Sequence, residues 1–205
     1  MVSLTKSNNL EHSAFVVAIG IDKSPSDKEK ILVTFQIIPP QVAQDSSTDL
    51  SKVISFSLDE YSINSAVGKI QNYVSTVVNF SHTRVLVFSE EIAKEGIIKY
   101  INAISSSTQF DTNMYLMVST STAKEYLEAL PQKTEINPIL YYNIIKNSQD
   151  YDSSTKTVTL TEFLKNYHSP YGNSIATLCS VLEPQNTPNE QENGNSPTKE
   201  SSDRS

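Results

Sequence analysis

A short apolar run, Arg84–Phe88, is followed at once by Ser89, Glu90 and Glu91, and this handover constrains the fold more than any other part of the chain. The run has the length and β-branched content of a buried strand. Ser89 supplies the side-chain oxygen that caps a helix N-terminus, and the two glutamates complement the positive end of the helix dipole. Apolar residues at Ile97, Ile98, Ile101 and Ile104 carry the helical spacing onward. A strand-to-helix turn is a common place for catalytic groups, yet this one has neither a glycine-rich turn nor a nucleophile. The segment is expected to be scaffold.

Upstream, AFVVAIGID (residues 14–22) and ILVTFQIIPP (31–40) are two β-rich runs joined by the polar stretch KSPSDKEK, which predicts an antiparallel hairpin with a long connection. Gly20 inside the first run signals a bulge or a close backbone approach, and Pro39 with Pro40 ends the second. In KVISFSLD, Ile54, Phe56 and Leu58 alternate with Val53, Ser55 and Ser57, the pattern of a strand with one apolar face. Between Ser62 and Asn79, apolar residues at Ile63, Ala66, Val67, Ile70, Tyr73, Val74 and Val77 predict one helix laid on a sheet. MYLMVS (114–119) reads as a strand. Thr122 with Glu125, and Thr159 with Glu162, form capping boxes for two further helices, and Asn137-Pro138 starts another. IATLCSVL is a possible last strand.

Early hairpins favour antiparallel pairing and the later strand-helix-strand crossovers favour parallel pairing. The expectation is an α+β fold, a mixed β-sheet of about four to five strands with several α-helices packed on it. Residues 1–12 are polar and expected to be flexible, and residues 13–182 are expected to form the domain. Residues 183–205 have no large aliphatic or aromatic side chain to offset their ordering entropy, which predicts a disordered linker or tail.

The formal net charge of −7 argues against attraction to nucleic acid. Cys179 is the sole cysteine, so no intrachain disulfide forms, and its setting in ATLCSVL suits a small buried residue. His12, His82 and His168 never reach the helical spacing of a metal pair, and no metal site or cofactor is expected. With five glycines and no phosphate-loop, dinucleotide or nucleophile-elbow spacing, the sequence offers no catalytic residues, and the domain is not expected to be an enzyme. His82 and Arg84, two residues apart at the start of a strand, project on the same side. They offer either a polar contact surface or a loop histidine bonded to backbone. Asp22 and Lys23 close the first strand, where an Asp caps a turn or takes part in binding.

Taken in order, AFVVAIGIDK with ILVTFQIIPP, HTRVLVFSEEIAKEGI, STAKEYLEAL, and VTLTEFL followed by SP resemble the N-terminal domain of the spore germinant receptor C subunits, the Ger(x)C lipoproteins. The resemblance runs from about residue 12 to residue 182, and the positions that carry it include Gly20-Ile21-Asp22-Lys23, Gln36, His82 and Arg84. It implies a non-enzymatic receptor domain that works in spore germination through protein contacts, with a small-molecule germinant-binding module as the alternative. It further implies integral membrane A and B subunits and the remaining C-subunit domains as partners, and a lipid anchor at the outer face of the spore inner membrane. Asp22, Lys23, Gln36, His82 and Arg84 are the candidate partner contacts. The sequence has no signal segment or lipid-bearing cysteine and stops after the linker-like tail, so it is expected to be an N-terminal piece of a longer lipoprotein.

Overall fold

The computed structural model describes residues 13–39, 53–133 and 156–181. The strands are β1 (Ser13–Lys23), β2 (Ile31–Ile38), β3 (Ile54–Glu60), β4 (Val77–Asn79), β5 (Val85–Ser89), β6 (Tyr115–Ser119) and β7 (Thr177–Cys179). The helices are α1 (Ile63–Ile70), α2 (Glu90–Glu95), α3 (Ile98–Ser105), α4 (Ala123–Lys133) and α5 (Leu160–His168). All seven strands form one mixed sheet in the order β3-β2-β1-β5-β6-β7, with β4 also on β1. β1, β2 and β3 pair antiparallel, while β4, β5, β6 and β7 are added in parallel.

The apolar content of β1 follows from its place at the centre. It has β2 on one edge and, on the other, β4 along Ser13–Phe15 and then β5 along Ala18–Ile21. Helices cover both faces, so almost every residue of the strand is buried and the two-residue alternation of a half-exposed strand is lost. The larger core joins Val16, Ile19, Ile21, Phe35, Leu86 and Phe88 to α1, α2, α3 and α5 through Ile63, Ile70, Ile92, Ile101, Ile104 and Phe163. The smaller core, on the opposite face, joins Val17, Ala18, Val85, Val87 and Met117 to Ala123, Tyr126 and Leu127 of α4. A register shift between Val16 and Ala18 lets the consecutive residues Val17 and Ala18 both serve this second core.

Among the described residues seven strands form, against the four to five expected. β4 and β7 are only three residues each, too short for periodicity to announce them, although β7 falls inside the run marked as a possible last strand. The helix expected over Ser62–Asn79 stops at Ile70. Val74, Thr76, Val77 and Val78 are β-branched and lose side-chain freedom in a helix, so the chain bends after Ile70 and becomes extended at Val77–Asn79 instead. The amide of Gln71 supports it, donating to the Val78 carbonyl at 3.1 Å and accepting from the Val78 N–H at 3.2 Å. Val77 and Tyr73, read as helix-face residues, are exposed. The helix after Ser89 is likewise two helices, because Gly96 takes φ 105° and closes α2 before α3 begins. The segments 1–12 and 183–205 and the helix from Asn137 lie outside the described residues.

Gly20 marks a close approach rather than the bulge, which lies three residues earlier. A Cβ there would meet Leu127 Cδ1 at 3.0 Å and the Ala123 Cβ at 3.2 Å, so the missing side chain is what allows α4 to lie on β1. Gly20→Val should therefore force α4 off the sheet and lower unfolding free energy in urea by about 1–3 kcal/mol. An unchanged urea midpoint would show that α4 does not depend on this contact.

Candidate contact site

The five candidate residues are distributed along β1 and its neighbours, and the structure does not gather them into one site. Asp22 and Lys23 lie at the C-terminal end of β1. Gln36 is at the middle, opposite Ala18, and His82 with Arg84 stand towards the N-terminal half, where Arg84 N–H donates to the Val17 carbonyl at 2.8 Å.

Asp22 is only 3% exposed, although a carboxylate at a strand end would ordinarily face water. Its Oδ1 accepts from the Ala123 N–H at 2.6 Å and its Oδ2 from the Lys124 N–H at 2.9 Å, so it satisfies two of the unpaired donors that open α4. The Ser89 hydroxyl bonds to the same carboxylate, and Ser89 in turn accepts from the Ile92 N–H as the cap of α2. One acid thus ties together the N-termini of two helices on opposite faces of the sheet. Burial pushes the Asp22 carboxyl above the usual aspartate value, while the two backbone donors and the Ser89 hydroxyl pull the other way.

Lys23 turns to the other face and pairs with Glu91, at 3.0 Å, and with Glu95 of α2. Those two carboxylates hold its ammonium above the ordinary lysine value. Gln36 is fully buried and its Nε2 donates to the Leu127 carbonyl of α4 at 2.7 Å. Asp22, Lys23 and Gln36 therefore act on the placement of α2 and α4. Glu90 and Glu91 sit in the first turn of α2 as the helix dipole requires.

His82 and Arg84 are exposed and line one recess of about 200 Å³ with Phe15, Val17 and Ile38. Its origin is topological. After β4 leaves β1 at Phe15, the chain makes a turn before β5 rejoins the same edge, and Thr83 pins that turn by donating to the carbonyls of Phe80 at 2.8 Å and Val16 at 3.3 Å. The His82 ring stands edge-to-face on Phe15, with centroids 4.9 Å apart and an interplanar angle of 87°. Phe15, Val17 and Ile38 read in sequence only as strand residues. The i, i+2 spacing of Phe15 and Val17 put both on one face, but nothing local showed that β4 would end at that point.

Among the described residues no group of three histidine, cysteine or acidic side chains is placed to hold a metal ion. Burial pushes the Cys179 thiol up to about 12, so it carries no thiolate nucleophile near neutral pH. No helix among the described residues is long and apolar enough to cross a membrane.

Residues 6–181 match the family described as the spore germination protein N-terminal domain. The chain belongs to that family. Spore germination protein KC of Bacillus subtilis (strain 168) is 30% identical over 117 residues, which are 55% of this chain and 28% of that relative. No solved structure matches the chain. In this Ger(x)C N-terminal domain the candidate residues are divided between buried positions that hold α2 and α4 and an open recess.

The buried half predicts a large stability effect. Asp22→Ala should lower unfolding free energy by about 2 kcal/mol or more, because it orphans two helix donors, and Asp22→Asn, which keeps one acceptor, should cost roughly half as much. Urea unfolding followed by circular dichroism measures both. A loss below about 0.5 kcal/mol for the alanine variant would place Asp22 among ordinary surface positions.

Proposed function

We propose that this domain serves in spore germination as a non-enzymatic part of a nutrient germinant receptor C subunit, and that it contributes protein contacts to the receptor's integral membrane A and B subunits and to the remaining C-subunit domains. In this reading the parent protein is lipid-anchored at the outer face of the spore inner membrane. Membership of the spore germination family sets the process. The observation that supports the contact role is the exposed His82–Arg84 pair, carried by the turn before β5, over an apolar recess on the central strand β1.

The competing reading, a small-molecule germinant pocket at the strand ends, meets a specific obstacle. In sheets with parallel strands, ligands settle beyond the C-terminal strand ends, where helix N-termini offer donors to an anion. Here that position between β1, β5, α2 and α4 is filled by the protein's own Asp22 carboxylate. The surface contacts in this proposal are therefore His82 and Arg84, while Asp22, Lys23 and Gln36 position α2 and α4.

Spores whose receptor subunit carries Arg84→Glu should hold less assembled receptor and respond to nutrient about tenfold more slowly, as for loss of one charged contact in an interface. The purified domain with the same change should keep its circular dichroism spectrum. Normal receptor level and normal nutrient response in that strain would remove Arg84 from the contact surface.

A further inference from the structure

We infer that the recess at Phe15, Val17, Ile38, His82 and Arg84 receives a single aliphatic side chain of a partner protein, with a carboxylate next to it in the partner's sequence seated on Arg84. This rests on the reading of the domain as a contact module and supplies the chemistry of what it contacts.

Size decides first. Pockets that enclose a whole metabolite run to about 300–1,000 Å³, and this recess holds about 200 Å³, room for one anchoring side chain. Its walls decide the character of that side chain, for Phe15, Val17 and Ile38 present only hydrocarbon. Phe15 and His82 stand edge-to-face in the wall of the recess, an arrangement that lowers the ordering cost of binding.

Charge decides the neighbour. The chain carries a net charge of −7, and Lys23, Lys30, Lys69, Lys94 and Lys124 each lie within ion-pair distance of one of its own carboxylates. Among the described residues no carboxylate reaches Arg84, which stands exposed at the mouth of the recess beside His82. An exposed guanidinium beside an apolar recess is the arrangement that binds an acidic group in a planar, two-pronged contact while an adjacent side chain fills the recess. A fully apolar partner segment would leave Arg84 desolvated without an anion, and an acidic one lacking an aliphatic residue would leave the recess empty.

The test titrates acetyl-Leu-Glu-amide into the isotope-labelled chain and follows backbone amide and His82 ring resonances by NMR. Fast-exchange shifts should centre on Phe15, Val17, Ile38, His82 and Arg84 with millimolar affinity. Acetyl-Leu-Gln-amide and acetyl-Ala-Glu-amide should each bind about tenfold more weakly, and Arg84→Gln should erase the preference for Glu over Gln while leaving the remaining spectrum in place. Equal binding of the Glu and Gln peptides, or shifts elsewhere on the sheet, would overturn the inference. Free leucine binding as tightly as the peptide would overturn it in favour of a metabolite. Shifts that grow with protein concentration alone would overturn it in favour of a second copy. A flat titration with germination still impaired in Arg84→Glu spores would discard this occupant and spare the contact reading. Peptide binding with normal Arg84→Glu spores would uphold the recess chemistry and discard the contact reading.

Discussion

The structure hangs on one buried carboxylate. Asp22, at the end of the central strand, accepts from the first two backbone amides of α4 and from the Ser89 hydroxyl that caps α2. Charge buried at this depth is costly, and the donors of two helix N-termini offset part of that cost, with burial still holding the carboxyl above the usual aspartate value. Its neighbour Lys23 reaches Glu91 and Glu95 on the other face, so consecutive residues of β1 fix one helix on each side of the sheet. Gly20 and Gln36 finish the placement of α4, the first by letting it come close and the second by bonding the Leu127 carbonyl.

That arrangement separates scaffold from surface. At the C-terminal ends of β1 and β5, the usual place for ligands in a sheet with parallel strands, the Asp22 carboxylate occupies the position between α2 and α4. Towards the other half of β1 the same edge is shared by β4 and β5 in succession, and the turn between them opens the recess under His82 and Arg84. The domain thus fills the position between α2 and α4 with its own Asp22 carboxylate and exposes a small apolar recess beside His82 and Arg84. The domain belongs to the family of spore germination protein N-terminal domains.

Much of the architecture was legible because it is local. The capping boxes of Thr122 with Glu125 and of Thr159 with Glu162 both form, and Ser89 caps α2 as its position after a β-branched run requires. Crossovers and hairpin together predicted a mixed sheet, which is what forms. What could not be read was set by contacts distant in sequence or by competition between nearly equal local preferences. The apolar spacing through Tyr73, Val74 and Val77 fits a helix, and the β-branched side chains together with the pairing of β4 on β1 make Val77–Asn79 extended. Gly96 carried a break signal that helical spacing on both sides concealed. The role of Asp22 was the least accessible, since its partners Ala123 and Lys124 lie about a hundred residues away in the chain. For His82 and Arg84 the shared side was legible, whereas the recess between them needed Phe15 and Ile38 from two other strands.

Native-state hydrogen exchange at the Ala123 and Lys124 amides tests the Asp22 junction most directly. First-turn amides of a helix ordinarily exchange quickly because they lack an intrahelical acceptor. With Asp22 accepting from both, they should be protected, and Asp22→Ala should speed the exchange of both, and Asp22→Asn that of one of them, by about tenfold or more beyond any change at amides in the β2–β3 ladder. Fast exchange of both amides in the unaltered chain, or no change in either variant, would contradict the account.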